Sequence, residues 1–170
     1  MIQVGDKLPA STLMEFIAVE TEGCSLGPNP VDVLQASAGK TIALFAVPGA
    51  FTPTCSAKHV PGFVDKAAEL KAKGVDEIVC TAVNDAFVMG AWGRDQKTAG
   101  KVRMMADGSA AFANATGLTL DLTARGMGVR SNRYSMLVVD GVVKTLNIEG
   151  PGKFEVSDAG TLLAQAQSLK

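Results

Sequence analysis

Apolar residues fall in short blocks whose spacing changes along the chain. Residues 41–47, Thr-Ile-Ala-Leu-Phe-Ala-Val, form an almost unbroken apolar run. That is the pattern of a strand buried on both faces. Pro48-Gly49 ends it. Val60, Phe63, Val64, Ala67 and Leu70 then recur at helical spacing. They predict a helix that runs to about Lys73, with Gly74 as its stop. A second apolar run at 77–83 predicts the next strand. Strand, helix and strand within about 40 residues make a βαβ unit, so these two strands are expected to be parallel.

The flanking segments extend this core. Residues 11–19 predict a strand, followed by a loop rich in Gly, Pro and Asn at 23–30. Asn84-Asp85 can cap a helix that carries Phe87, Val88, Ala91 and Trp92. Residues 101–107 predict a short strand. Residues 134–149 predict a hairpin turning at Asp140-Gly141. Ser157 or Asp158 is expected to cap a last helix with Leu162, Leu163, Ala166 and Leu169. A parallel βαβ half, then an antiparallel hairpin and a terminal helix, is the order of an α/β, thioredoxin-like fold. Helices would flank a central mixed β-sheet. The length of 170 residues suits one such domain over residues 1–170.

Composition removes several function classes. The 16 Lys and Arg nearly cancel the 17 Asp and Glu, which leaves no basic footprint for nucleic acid. No apolar run is long enough to span a membrane. No secretory signal pattern opens the chain. The expected compartment is the cytoplasm, or an organelle after removal of a transit segment. The cysteines are Cys24, Cys55 and Cys80, an odd number that argues against a disulfide scaffold. One histidine with three scattered cysteines does not make a zinc site. No metal, haem, flavin or nucleotide cofactor is expected.

One cysteine stands in an unusual setting. Residues 47–63 read VPGAFTPTCSAKHVPGF, with three prolines, two threonines and the only histidine around Cys55. A disulfide oxidoreductase would show C-x-x-C, where this chain has Thr52-Pro53-Thr54-Cys55. Cys55 falls where a strand gives way to a helix. A helix N-terminus offers unpaired N–H groups and about half a positive charge, and both favour thiolate over thiol. Pro48 and Pro53 stiffen the approach, and Thr52 lies close enough for its hydroxyl to share a ligand with the sulfur. Pro61 is expected to kink the helix about one turn past the site. His59 follows Cys55 by one turn and so shares its face. It is either a base for Cys55 or a hydrogen-bonded wall of the pocket. The helix N-terminus already favours thiolate, which favours the wall. Trp92, Met104 and Met105 are read as core.

The segment PGAFTPTCSAKHVPGF resembles the active-site segment of peroxiredoxins, with its P-x-x-x-T-x-x-C pattern at Pro48, Thr52 and Cys55. The resemblance continues through 83–96, 104–118 and 125–141 and is closest to the peroxiredoxin 5 (type II, atypical) subfamily. It implies a thiol-dependent peroxidase acting on hydrogen peroxide and organic hydroperoxides. Cys55 would be the peroxidatic thiolate, with Thr52 accepting from one peroxide oxygen and donating to the other, and Pro48 shielding the sulfur. The residues alone leave Arg125, Arg130 and Arg133 open as the catalytic cation; the resemblance selects Arg133.

Some members of this subfamily carry a resolving cysteine in the loop before the last helix. Here that loop, 150–163, has none, and Val156 stands about where the thiol would fall. Recycling by an external thiol is therefore expected, from glutathione with glutaredoxin or from thioredoxin. A homodimer is implied, with the loops at Thr52–Pro53 and Phe87–Met89 as its contact surface. The competing reading is a redox sensor that passes Cys55 oxidation to a partner protein.

Overall fold

The structure is a computed structural model that describes residues 1–18 and 26–169. Seven strands form the main sheet: β1 (Thr12–Ile17), β2 (Gly27–Asp32), β3 (Thr41–Ala46), β4 (Glu77–Ala82), β5 (Arg103–Ala106), β8 (Tyr134–Val139) and β9 (Val142–Ile148). β6 (Thr119–Leu122) and β7 (Gly128–Ser131) pair as a separate two-stranded ribbon. The helices are α1 (Val33–Ser37), α2 (Val60–Asp65), α3 (Ala67–Ala72), α4 (Ala86–Gln96), α5 (Ala111–Thr116) and α6 (Ala159–Ser168).

The sheet order is β2-β1-β5-β4-β3-β8-β9. β3 pairs with β4, and β4 with β5, in parallel. The remaining pairs are antiparallel. The sheet is therefore mixed, as expected from a βαβ unit joined to a hairpin. β3 lies inside it, and side chains from its two faces enter two cores. Ala43 and Phe45 face α2, α3, α4 and α6 through Phe63, Leu70, Met89, Trp92 and Leu162. Ile42, Leu44 and Ala46 face Leu13, Phe112 and Leu118 on the other side. This two-sided burial is why the run at 41–47 shows no alternation.

Several expected elements change shape. Within the predicted 23–30 loop, the part from Gly27 onward forms β2; the preceding residues lie outside those described. β2 is an edge strand, and Pro28 and Pro30 oppose Phe16 and Met14 of β1. Pro28 and Pro30 share one parity and offer no N–H at either position, which an edge strand tolerates. The helix expected from 60 to 73 is two helices, α2 and α3, broken at Lys66 (φ −99°, ψ 7°). Asp140 and Gly141 both have positive φ, as the tight hairpin turn requires. Asp158 caps α6, accepting from Thr161 N, and Leu169 lies exposed beyond the helix, not in its core face.

Helix α4 comes unusually close to the sheet. A Cβ on Gly90 would lie 2.9 Å from both Cβ and Cγ of Phe16 on β1. In an exposed helix, Gly→Ala stabilises by about 1 kcal/mol. Here the clash is with atoms at the base of Phe16, which cannot rotate away. Gly90→Ala is expected to lower stability by about 1–3 kcal/mol, measured by urea denaturation.

Candidate active site

β3 ends at Ala46, and the chain turns through Pro48–Thr52 before the helical turn that holds Cys55. Phe51 sits in this turn at φ 62°, a strained conformation for a bulky residue. Residues Cys55–His59 form a π turn, in which Val60 N donates to Cys55 O. Pro61 explains this wide turn. Proline has no N–H, and in a regular α-helix its ring collides with the carbonyl four residues back. The wider turn relieves that collision. The kink expected from Pro61 thus takes the form of a π turn at the site, with the break in direction later, at Lys66.

Cys55 is fully buried, and its sulfur accepts from Arg133 Nη2 at 3.0 Å. Arg133 comes from the far side of the sequence, just before β8. Its Nη1 lies 2.8 Å from His59 Nδ1. His59 Nε2 lies 3.0 Å from the Ser157 carbonyl. A carbonyl only accepts, so Nε2 carries the proton and Nδ1 is left as the acceptor for Arg133. His59 is buried against Phe45 and Phe154, at centroid distances of 4.8 and 4.9 Å. Burial, and then the charge of Arg133, lower its pKa from 6.5 to about 3. It is neutral, and both of its nitrogens are already committed to other partners. The Phe154 ring also lies beneath the guanidinium, with Cζ 5.8 Å from its centroid.

The turn before Cys55 is held from several sides. Thr52 Oγ1 donates to Gly49 O at 2.7 Å. The hydroxyl proton is thereby taken, and the oxygen presents lone pairs; the expected donation to a peroxide oxygen would first break this bond. A Cβ on Gly49 would meet Arg130 Nη1 at 3.1 Å and Thr52 Cγ2 at 3.2 Å, so this position has little room. Pro48 is half-buried, and its carbonyl accepts from Arg130 Nη1 at 3.4 Å. Asn84 Oδ1 accepts from Ala50 N at 2.9 Å, tying the turn to the end of β4. Trp92 is a core residue as expected, but its indole N–H also donates to Ser56 Oγ at 3.0 Å.

Cys80 lies in β4 and shares the buried cluster of Cys55. Burial, followed by the nearby Cys55, pushes its thiol up, while Arg133 pulls more weakly the other way. A protonated, fully buried thiol is a poor nucleophile. Cys24 lies outside the described residues. Val156 is exposed at its place before α6. Among the described residues, no three His, Cys, Asp or Glu side chains converge as metal ligands, and no helix is long and apolar enough to cross a membrane.

The structure thus brings Cys55 and His59 onto one guanidinium, that of Arg133, with Thr52 and Pro48 in the turn leading to the sulfur. Sequence reasoning missed Phe154, and it read Ser157 and Asn84 as helix caps and Arg130 as an alternative cation without finding their contacts here. His59 and Ser157 are 98 residues apart, and only the sheet brings them together.

Cys55 thus lies beyond a central strand and is met by an arginine at the start of the neighbouring one. The redoxin family model matches residues 3–163. Peroxiredoxin-2E, a chloroplastic protein of Arabidopsis thaliana, is 51% identical over 95% of this chain and 68% of its own length. Peroxiredoxin-2B of the same plant is 49% identical over 95% of this chain and 96% of its own length. Among solved structures, Prx3 of Vibrio vulnificus in complex with hydrogen peroxide is 50% identical at TM-score 0.89, covering 98% of this chain and 99% of that one. A Burkholderia cenocepacia chain provisionally named a thioredoxin reductase is 66% identical at TM-score 0.95, over 96% and 97%. That name agrees with neither the redoxin match nor a sequence without C-x-x-C. The chain belongs to the peroxiredoxins.

The buried histidine makes a stability prediction. Its folded pKa lies below its unfolded value, so its contribution is fully present above pH 6.5 and lost as pH falls toward 3. The unfolded chain takes up a proton that the folded one refuses. Wild-type stability is expected to fall by up to about 1.4 kcal/mol per pH unit below 6.5 from this group alone. Urea denaturation of wild type and His59→Asn at pH 7 and pH 5 checks this: the variant should lack that part of the decline.

Proposed function

We propose that Cys55 is the peroxidatic thiol of this peroxiredoxin, a thiol-dependent peroxidase, and that Arg133 is its catalytic cation. The observation that carries this is the 3.0 Å contact from Arg133 Nη2 to Cys55 Sγ. The thiolate attacks one peroxide oxygen. The O–O bond breaks, and its electron pair leaves on the other oxygen, which takes a proton and departs as water or an alcohol. Sulfur is oxidised by two electrons to sulfenic acid, and the peroxide is reduced. A guanidinium fixed at the sulfur stabilises charge both before attack and as it moves to the leaving oxygen. Thr52 accepts from the incoming peroxide. Pro48 narrows the approach, and Cys55 is fully buried, so the peroxide displaces neighbouring groups slightly to reach the sulfur.

Hydrogen peroxide and organic hydroperoxides are the proposed substrates. Recycling is by an external thiol: glutathione attacks the sulfenate sulfur, water leaves, and glutaredoxin resolves the mixed disulfide. Direct attack by thioredoxin is second. Supporting an external thiol, Val156 stands about where a resolving thiol would fall before α6, and burial pushes the Cys80 thiol up. A sulfur buried this deeply requires the π turn to open before a tripeptide thiol can meet it. We also propose one domain over residues 1–170, working in a reducing compartment such as the cytoplasm. The homodimer is proposed through the turn at Thr52–Pro53 and the start of α4, where Phe51 and Phe87 are 54% and 63% exposed. The redox-sensor reading is not favoured by relatives that are peroxiredoxins.

Cys55→Ser is expected to abolish peroxide consumption with the fold retained. Arg133→Gln should slow the single-turnover oxidation of Cys55 by about a hundredfold or more, and Thr52→Val by less. Stopped-flow mixing with hydrogen peroxide measures both; wild-type rates in Arg133→Gln at alkaline pH would remove its transition-state role. Cys24→Ser/Cys80→Ser should keep most turnover with glutathione and glutaredoxin. Loss of that turnover, with a Cys55–Cys80 or Cys55–Cys24 bridge in peroxide-treated wild type, would overturn external recycling.

A further inference from the structure

Glu149 follows β9 and is buried, with no lysine or arginine ion pair among the described residues. Its carboxylate is satisfied by the following loop alone. Oε2 accepts from Glu155 N and Val156 N at 2.9 Å, from Ser157 N at 2.8 Å and from Ser157 Oγ at 2.7 Å, and Oε1 accepts from Glu155 N at 2.9 Å. Burial alone would push the carboxyl up. The hydrogen bonds from Ser157, Glu155 and Val156 outweigh it and hold the pKa below its ordinary value. So many donors on one anion form a nest, a rigid way to fix a turn.

What the turn fixes is the Ser157 carbonyl. Glu149 holds Ser157 N and Oγ, which anchors the residue, and the carbonyl of the next peptide meets His59 Nε2 at 3.0 Å. That contact sets the tautomer of His59, and the tautomer makes Nδ1 an acceptor for Arg133. Were Nδ1 to carry the proton, it would point a hydrogen at a guanidinium that has only donors. Arg133 would then have to withdraw from His59, and with it from the sulfur. Glu149 is also tied to the same strand end directly, because Glu149 N donates to Arg133 O at 3.0 Å.

We propose that Glu149 is a positioning residue for the reaction at Cys55: its carboxylate fixes the Ser157 carbonyl, which sets the tautomer of His59, which holds Arg133 at the sulfur. The inference rests on the proposed role of Arg133, and its test separates the two.

The chain has one histidine, so its ring nitrogens give unambiguous 15N signals. Wild type must show the Nε2–H tautomer; an Nδ1–H tautomer overturns the proposal without any variant. In Glu149→Gln, whose amide adds donors where only acceptors fit, the tautomers are expected to mix. Single-turnover oxidation of Cys55 by hydrogen peroxide is expected to slow about tenfold, the loss of roughly one well-placed charge-assisted hydrogen bond. Trp92 fluorescence follows the reaction, since its indole bonds Ser56 next to Cys55. A Glu149→Gln protein that reacts at the wild-type rate while Arg133→Gln is slow overturns this proposal and leaves the role of Arg133 standing. A slow Glu149→Gln whose His59 keeps a pure Nε2–H tautomer also overturns it, because the loss would then be merely structural. Wild-type rates in Arg133→Gln would remove the reading beneath it. Should Glu149→Gln fail to fold, the wild-type 15N spectrum and His59→Gln decide. Gln keeps a donor for Ser157 and loses the Nδ1 acceptor, so this variant is expected to slow oxidation; wild-type rates there overturn the relay.

Discussion

The guanidinium of Arg133 is shared between a sulfur and an imidazole, and the site depends on that sharing. Its donors are planar and fixed in angle, so holding Nη1 on His59 aims Nη2 at Cys55. A lysine in this place would be a point charge with rotatable donors and could serve one partner without aligning on the other. The sequence distance between these residues is long, but the sheet makes the meeting inevitable. β3 delivers the turn to Cys55, and its antiparallel neighbour β8 begins just after Arg133.

Charge balance follows from the same contact. Arg133 has no carboxylate partner among the described ion pairs. The imidazole beside it is kept neutral, and Cys80, which shares the core, is kept protonated. The half-buried guanidinium donates to the Cys55 sulfur on one side and to a neutral imidazole on the other. Elsewhere the charged groups are segregated: Arg103 spans Glu15 on β1 and Glu77 on β4, away from this cluster, and fastens the strands that carry the core.

The parallel core, the hairpin and the last helix were legible because their apolar spacing is simple and their caps are local. β2 was not, since its two prolines give a loop-like composition that only an edge position tolerates. The short α1 and α5 and the β6–β7 ribbon carry too few apolar residues for a period to show. At the site, Cys55 stood out through its neighbours, and Arg133 could be chosen among three arginines only by resemblance. Ser157, Phe154 and Glu149 left no local trace. Ser157 even offered itself as a helix cap, but Asp158 does that work and Ser157 turns its carbonyl to His59. Pro61 was a readable signal whose effect was displaced: the helix widens into a π turn before it and breaks later, at Lys66.

The loop from Gly150 to Asp158 contributes to the site through the Phe154 ring and through its main chain. Glu149 grips the amides of residues 155–157, and the Ser157 carbonyl meets His59, while the side chains of Glu155 and Val156 point to solvent. Every amino acid except proline supplies such an amide. Evolution is therefore free to rewrite what position 156 displays, a thiol included, without disturbing the arginine at the sulfur. A position whose side chain faces outward and whose amide alone is used can vary in residue type while the turn beneath it keeps its hydrogen bonds.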